Sequence, residues 1–318
     1  MMKIAILDDV QDVVKNLSCF SLLQDHDVKI FTNSARGIGQ VAIRLAPFDA
    51  IVLIRERTAM PRALLQKLPN LKLISQTGKV AGHIDLDAAA ELGITIAEGI
   101  GDPTAPAELA WALIMAAMRK IPQYASNLRE GTWQTVSSNP VHNTLGSRLK
   151  GKTLAIWGYG KIGQLVAGYG RAFGMQVLVW GREASREKAL QDGYVVAASK
   201  EEFFTRADVL SLHLRLNEAT RGIVLDSDLK RLKPSALFVN ISRAELVEEG
   251  ALLTAVTQGQ PAALDVFDAE PLAHDSPLLR LPNVLATPHL GYVEQQSYEI
   301  YFEAAFQNIV DYAKRELA

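Results

Sequence analysis

The sequence predicts an α/β chain in which parallel sheets are covered by helices on both faces. Strand-like and helix-like segments alternate from one end to the other. Residues 153 to 182, TLAIWGYGKIGQLVAGYGRAFGMQVLVWGR, pass from an apolar strand through a glycine-rich turn into a helix and then a second apolar strand. The 318 residues, 48% of them hydrophobic, are enough for two ordinary domains with full cores.

Taken in order, the first third offers strands at Lys3–Leu7, Val28–Phe31, Ala50–Ile54, Lys72–Ser75 and Ile94–Ala97. Between them, Val10–Cys19, Arg36–Leu45, Pro61–Lys67 and Asp85–Leu92 have helical spacing. Residues 99 to 106, GIGDPTAP, read as a linker or hinge. A long helix should follow, with Thr104 or Ala105 near its start and Gly131 after its end. Beyond the glycine turn come strands at Val177–Trp180, Val209–Leu214, Leu237–Asn240, Ala262–Asp265 and Val284–Ala286. The last helix, about Gln296–Leu317, has an apolar stripe and is placed to return to the first domain. No internal repeat or low-complexity tract interrupts this order.

Composition removes several function classes. A net charge of -2 gives no polyanion footprint, so no nucleic-acid partner is expected. The only cysteine, Cys19, falls in a predicted amphipathic helix and reads as a buried, inert thiol, so no disulfide can form within the chain. The start, MMKIAILDD, lacks the basic region and long apolar core of a signal peptide. Residues 106 to 118 form the most apolar run, but Glu108 interrupts it and it is too short to span a bilayer. The expectation is a soluble, cytoplasmic protein with no membrane partner. No metal site is expected, because the His and carboxylate spacings form no compact ligand pair.

The glycine turn reads Gly158-Tyr159-Gly160-Lys161-Ile162-Gly163. Gly158 can make the tight turn, Gly160 lets the backbone approach phosphates, and Gly163 lets the helix pack against the strand with its N-terminal N–H groups facing an anion. A bare GxGxxG can be an ordinary turn, but here strand, glycines, helix and second strand follow in order, which points to a dinucleotide. At the end of the second strand an NAD site usually carries Asp or Glu for the ribose hydroxyls; this chain has Gly181, then Arg182, with Arg186 one helical turn on. Room for a 2'-phosphate and a guanidinium to hold it favour NADP over NAD, although Arg182 as a solvated loop charge would leave NAD in place.

Three polar clusters follow strand ends: Asn240-Ile241-Ser242-Arg243, then 265 to 271 with Asp265 and Glu270, and Thr287-Pro288-His289. In an open parallel sheet that edge is where ligands bind. Each residue alone has a plainer reading: Arg243 as a surface cation, Glu270 as a cap before Pro271, His289 as a core histidine. Together with GKTLAIWGYGKIG, LHLRLNEATRGI, LKPSALFVNISRAELVEEGAL, ALDVFDAEPL and LPNVLATPHLGY, they make the chain resemble the D-isomer-specific 2-hydroxyacid dehydrogenase family over nearly its full length.

That resemblance implies two Rossmann-like domains with a cleft between them. A flavodoxin-like catalytic domain would comprise 1–102 and 290–318, and an NAD(P)-binding domain 103–289. It implies Arg243 as the substrate arginine, Glu270 as the acidic partner and His289 as the acid/base, with Asp265 fixing the nicotinamide carboxamide. His213 and Ile241, just past their strands, would line the cofactor, while Gly78-Lys79-Val80 would be the anion-binding loop for substrate. A homodimer is implied, with the apolar helix from Ala107 as the candidate contact; a buried core helix is the plainer alternative.

The expected chemistry fits these residue types independently. Hydride transfer to a 2-oxo acid puts negative charge on the carbonyl oxygen, so a fixed cation and a proton donor should reach it. Arg243 can hold the carboxylate by its fork and polarise the ketone. Histidine titrates near 6.5 in water, and a carboxylate beside an imidazole favours the protonated, donating form. His83, His142, His213 and His274 are kept out of that role. Three departures from the family pattern stand out: Lys79-Val80 where Val-Gly is common, Arg215 where Pro is common, and Ala244 where Gly is common. Lys79 could meet a second acidic group or point to solvent. A dinucleotide-sensing interaction protein, like the family's transcriptional corepressor branch, is the competing reading.

Overall fold

The computed structural model describes residues 1–35 and 37–317, and the chain divides into two compact units, Met1–Asp102 with Glu294–Ala318, and Pro103–Val293. The first unit begins with β1 (Lys3–Ile6), β2 (Asp27–Ile30), α1 (Ile38–Leu45), β3 (Ala50–Leu53), α2 (Arg62–Leu65), β4 (Leu73–Gln76), α3 (Leu86–Glu91) and β5 (Thr95–Ala97). Its five strands pair in parallel in the order β2-β1-β3-β4-β5. Ile4, Ile51 and Ile74 are fully buried, as expected for a parallel sheet covered on both faces.

One predicted helix is absent. Val10–Cys19 contains no α-helix, only 3-10 turns at Val14–Asn16 and Ser18–Leu23. The Asp9 carboxylate accepts the N–H groups of Val13 (3.2 Å) and Val14 (2.9 Å), and Asp12 sits at φ 52°, so an acidic side chain closes a turn where a helix would need its own carbonyls. Cys19 is buried there, as expected, and burial together with Glu299 pushes its thiol up to about 12. Arg36, the first residue of another predicted helix, lies outside the described residues.

The second unit opens with α4 (Thr104–Arg119) and α5 (Ile121–Arg129), which the sequence reading joined into one helix. Lys120 breaks them at φ 53°, two residues before Pro122, whose ring and missing N–H cannot continue a helix. Then follow β6 (Thr153–Trp157), α6 (Lys161–Ala172), β7 (Gln176–Trp180), α7 (Glu183–Gln191), β8 (Val195–Val196), α8 (Lys200–Arg206), β9 (Val209–Leu212), α9 (Asp226–Leu229), β10 (Leu237–Asn240), α10 (Ala251–Thr257), β11 (Ala262–Leu264) and β12 (Val284–Ala286). The seven strands are parallel in the order β12-β11-β10-β9-β6-β7-β8. The order reverses at β6, which lies between β9 and β7; crevices at such switch points hold ligands.

Strand alternation builds the two faces of this sheet. Leu154 and Ile156 of β6, with Leu237 and Val239 of β10, face α4 and α6; Ala155, Trp157 and Phe238 face Phe203 and Phe204 of α8. Each fully buried phenylalanine contributes roughly 1.5–3 kcal/mol relative to exposure. The final helix, α11 (Gln295–Leu317), belongs to the first unit, as its apolar stripe suggested. It buries Phe302, Phe306 and Ile309, and its Ala305 carbonyl accepts from Ser75 Oγ of β4 at 2.8 Å. No described helix is long and apolar enough to cross a membrane.

Candidate active site

The glycine turn leaves β6 where the sheet order reverses. Gly158 has φ 98°, and a Cβ there would lie 2.4 Å from the His213 carbonyl oxygen, so only glycine fits. A Cβ on Gly163 would lie 2.1 Å from the Gly158 oxygen, which is how closely α6 packs on its own turn. Gly160, the residue that starts α6, faces open space instead: nothing lies within 4 Å of its would-be Cβ. Two glycines thus serve packing and the third leaves room at a twelve-residue helix's N-terminus, which fits a nucleotide pyrophosphate.

The residues between them divide. Lys161 is exposed and Ile162 half-buried against the core. Tyr159 turns inward, 4% exposed, and its hydroxyl donates to Asp192 at 2.9 Å, so only its main chain lines the turn. Burial and the Asp192 carboxylate push the phenol's pKa up.

At the end of β7, Gly181 is half-buried and a Cβ there would sit 3.3 Å from the Ser185 Cβ. Arg182 is exposed and caps α7 with its carbonyl, accepting from Ser185 (3.0 Å) and Arg186 (3.1 Å). Arg186 stacks over the Trp180 ring at 5.4 Å, and its buried Nε has no hydrogen-bond partner. Of the two arginines, Arg186 therefore has the defined position. His213 donates its main-chain N–H to Trp157 (2.8 Å), and its Nε2 meets Ser211 Oγ at 2.9 Å. Burial pushes this imidazole down to about 4, and its buried Nδ1 has no partner. A neutral ring suits a lining role and excludes acid/base work near neutrality. Ile241, 8% exposed, packs in the core beside Val239.

The three polar clusters converge at the ends of β10, β11 and β12. His289 Nδ1 lies 2.6 Å from Glu270 Oε2, and Glu270 Oε1 accepts the Phe267 N–H at 3.0 Å. Burial raises the Glu270 pKa, but the His289 contact, the Phe267 donor and the charge of Arg243 outweigh it, leaving the carboxyl below its usual range. Arg243 donates from Nη1 to the Ser242 carbonyl at 2.6 Å.

His289 itself has φ 54°, a conformation that a non-glycine residue holds only when its surroundings impose it. Asp265 supplies the constraint. Fully buried, it accepts from Thr287 Oγ1 (2.7 Å), Leu290 N (2.7 Å) and Gly291 N (2.9 Å), binding the turn that carries His289. Burial raises its pKa against those donors. Sequence reasoning gave Asp265 to the nicotinamide and missed this structural engagement, for which side-chain placement was needed. With Nδ1 turned to a carboxylate, His289 has Nε2 as the nitrogen that can trade a proton with a ligand.

In the first unit, Lys79 Nζ meets Glu98 Oε2 at 2.7 Å, and the Val80 N–H donates to Glu98 Oε1 at 2.8 Å. The expected anion-binding loop thus holds the chain's own carboxylate, a partner that nothing in the sequence spacing announced. Lys79 is exposed and carries Glu98 as its ion-pair partner. Arg215 is exposed, and its carbonyl accepts from Thr220 Oγ1 at 2.7 Å. Among the described residues no cluster of three or more metal-ligating side chains occurs.

Comparison with known proteins adds the following. The family described as D-isomer specific 2-hydroxyacid dehydrogenase, NAD binding domain, matches residues 111–291. A glyoxylate reductase of Aeropyrum pernix is 37% identical over 258 residues, covering 79% of this chain and 76% of its own. A D-3-phosphoglycerate dehydrogenase of Archaeoglobus fulgidus is 33% identical over 268 residues, 83% of this chain but only 49% of the relative, so the chain spans about half that protein's length. The crystal structure of a phosphoglycerate oxidoreductase from Vibrio cholerae O395 superposes with a TM-score of 0.95 at 58% identity, covering 99% of this chain and 100% of that one.

Proposed function

The chain belongs to the D-isomer specific 2-hydroxyacid dehydrogenase family, with an NAD-binding domain, and on that premise we propose that it is a 2-oxo-acid reductase in which Arg243 clamps the substrate and the Glu270–His289 pair supplies the proton. The observation that carries the reading is the 2.6 Å contact between His289 Nδ1 and Glu270 Oε2, at strand ends that also present Arg243. The reduced dinucleotide supplies a hydride. The chain's residues do the rest: Arg243 fixes the acid's carboxylate by its fork and polarises the ketone, and His289 Nε2 gives a proton to the oxygen as charge develops there. In the oxidising direction the neutral ring takes that proton back, while the Glu270 anion steadies the imidazolium.

The glycine turn from Gly158 to Gly163 holds the pyrophosphate in this reading, with His213 and Ile241 beside it and Asp265 at the nicotinamide end. The absence of a carboxylate at Gly181, with Arg182 and Arg186 nearby, supports NADPH over NADH. The glyoxylate reductase among the relatives supports a small 2-oxo acid, with Lys79 and Val80 as further substrate-binding residues of the reading. A homodimer is part of the same reading.

A panel of glyoxylate, hydroxypyruvate, a branched 2-oxo acid and a dicarboxylic one, assayed by loss of NADPH or NADH absorbance, tests it. Turnover of at least one acid is expected. A protein that binds dinucleotide but reduces none of them would be a sensor instead.

A further inference from the structure

We propose that Asn240 is the positioning residue for Arg243, setting the direction in which the guanidinium fork leaves the sheet. The inference rests on the reading of Arg243 as the substrate clamp. Asn240 ends β10, an interior strand of the sheet, and is 1% exposed. Its side chain closes the loop that follows at two points: Nδ2 donates to the Arg243 carbonyl at 2.8 Å, and Oδ1 accepts the Ser242 N–H at 3.0 Å. Its own carbonyl accepts the Asp265 N–H at 3.0 Å, which joins this loop to the strand end that bears the Glu270–His289 pair.

The chain has three residues, Ile241 to Arg243, in which to leave the sheet before the 3-10 turn Ala244–Leu246 begins. Arg243 is extended at φ -151°, ψ 142°, and apart from Asn240 its carbonyl has a 3.4 Å contact from the Leu246 N–H. The short bond from Asn240 therefore fixes this peptide. The guanidinium in turn folds back on the same loop through Nη1 to the Ser242 carbonyl, so a change in loop geometry is transmitted directly to the fork. A second tie, Ser242 Oγ to the Leu212 carbonyl at 2.8 Å, holds the loop to β9 but does not touch Arg243.

The chemistry of the side chain is specific. The loop asks for one donor and one acceptor on a short planar group, which asparagine has. Aspartate keeps the acceptor for Ser242 but turns a second oxygen to the Arg243 carbonyl; alanine loses both bonds and leaves the Arg243 carbonyl with only the 3.4 Å contact from Leu246.

The experiment combines kinetics with crystallography on Asn240→Ala, Asn240→Asp, Arg243→Ala and the double variant Asn240→Ala/Arg243→Ala. Glyoxylate is the probe substrate. Asn240→Ala and Asn240→Asp should each raise KM by about tenfold to a hundredfold, the scale of misplacing a binding group by an ångström, while dinucleotide affinity stays within about twofold. In the Arg243→Ala background the Asn240 substitution should add nothing, because it acts through the arginine. Equal penalties in both backgrounds would overturn the proposal and make Asn240 a structural cap. Crystal structures of the single variants should show the Arg243 carbonyl and guanidinium displaced, and an unmoved Arg243 would overturn it without reference to any activity. A wild type that reduces none of the 2-oxo acids would refute the functional reading separately, with the crystal structures still deciding the role of Asn240.

Discussion

His289 holds a left-handed backbone conformation, worth roughly 1–2 kcal/mol of strain for an L-residue, because Asp265 grips the turn on its far side. This histidine and not His213 is the candidate donor because its Nδ1 faces Glu270, whereas burial keeps His213 neutral. His289→Ala should cut turnover by ~10²–10⁴ while leaving dinucleotide affinity nearly intact, since the ring moves a proton but does not hold the nucleotide. Near-normal turnover of the variant on the best 2-oxo acid would refute the assignment. Glu270→Gln should move the alkaline limb of the reduction rate to lower pH, because the anion facing Nδ1 is gone; a pH–rate profile checks this. Arg243→Lys should raise KM strongly and lower turnover, as a point ammonium cannot grip carboxylate and ketone oxygen in one plane. A substrate amide should lose little further on that change. The placement of Arg243, Glu270 and His289 beyond strand ends was legible because each follows an apolar run in its own polar cluster. The engagement of Glu98 with Lys79 and Val80 was not, since those partners are brought together by the sheet and not by spacing in the chain.

At the scale of elements, hydrophobic runs located the strands of both sheets except the two-residue β8, with β10 and β12 placed to the residue. Two departures among the helices that were predicted have local causes. Asp9 captured amides that the predicted helix at Val10–Cys19 needed, and Pro122 divided α4 from α5; only the second signal stood openly in the sequence. The glycine turn offers a sharper test. Gly158→Ala should destabilise the fold by at least about 1 kcal/mol, because its φ and the His213 carbonyl both exclude a Cβ. Gly160→Ala should melt like wild type yet lose dinucleotide affinity, because its Cβ meets no protein atom and enters only the space meant for phosphate. Thermal melts beside nucleotide titrations by tryptophan fluorescence separate the two, and tight binding by Gly160→Ala would remove the pyrophosphate from this turn. Asp208 links β6 to β9: it accepts the Thr153 N–H at 2.8 Å and Lys233 Nζ at 2.9 Å. Burial raises its pKa, but these partners outweigh it and the folded value lies below the ordinary one. Its contribution is therefore present above the unfolded carboxylate's value of about 3.9 and is lost as pH falls through the folded value. Urea midpoints measured from pH 6 downward should decline less steeply for Asp208→Asn than for wild type.

For the whole molecule, the helix from Ala107 has a face that its own unit covers. Ala107, Ala110, Leu113 and Ile114 of α4 are buried in the second unit's own core, whereas Ile121 and Leu128 of α5 and Trp133 beyond it are exposed. If the proposed homodimer pairs through α5, Ile121→Asp with Leu128→Asp should give a monomer by analytical ultracentrifugation, and an unchanged sedimentation coefficient would place the contact elsewhere. Cofactor choice is a second property of the assembled unit. Gly181→Asp with Arg182→Ala and Arg186→Ala should reverse a preference for NADPH, and equal wild-type affinities for NADPH and NADH would return the assignment to NAD. The central claim, that the chain delivers a hydride to one face of a 2-oxo acid, is tested most directly by isotope. Reduction of whichever of hydroxypyruvate and the branched 2-oxo acid turns over better, with dinucleotide deuterated at the transferring position, should yield the D-2-hydroxy acid carrying one deuterium at C2. An unlabelled, racemic or L product would contradict the account.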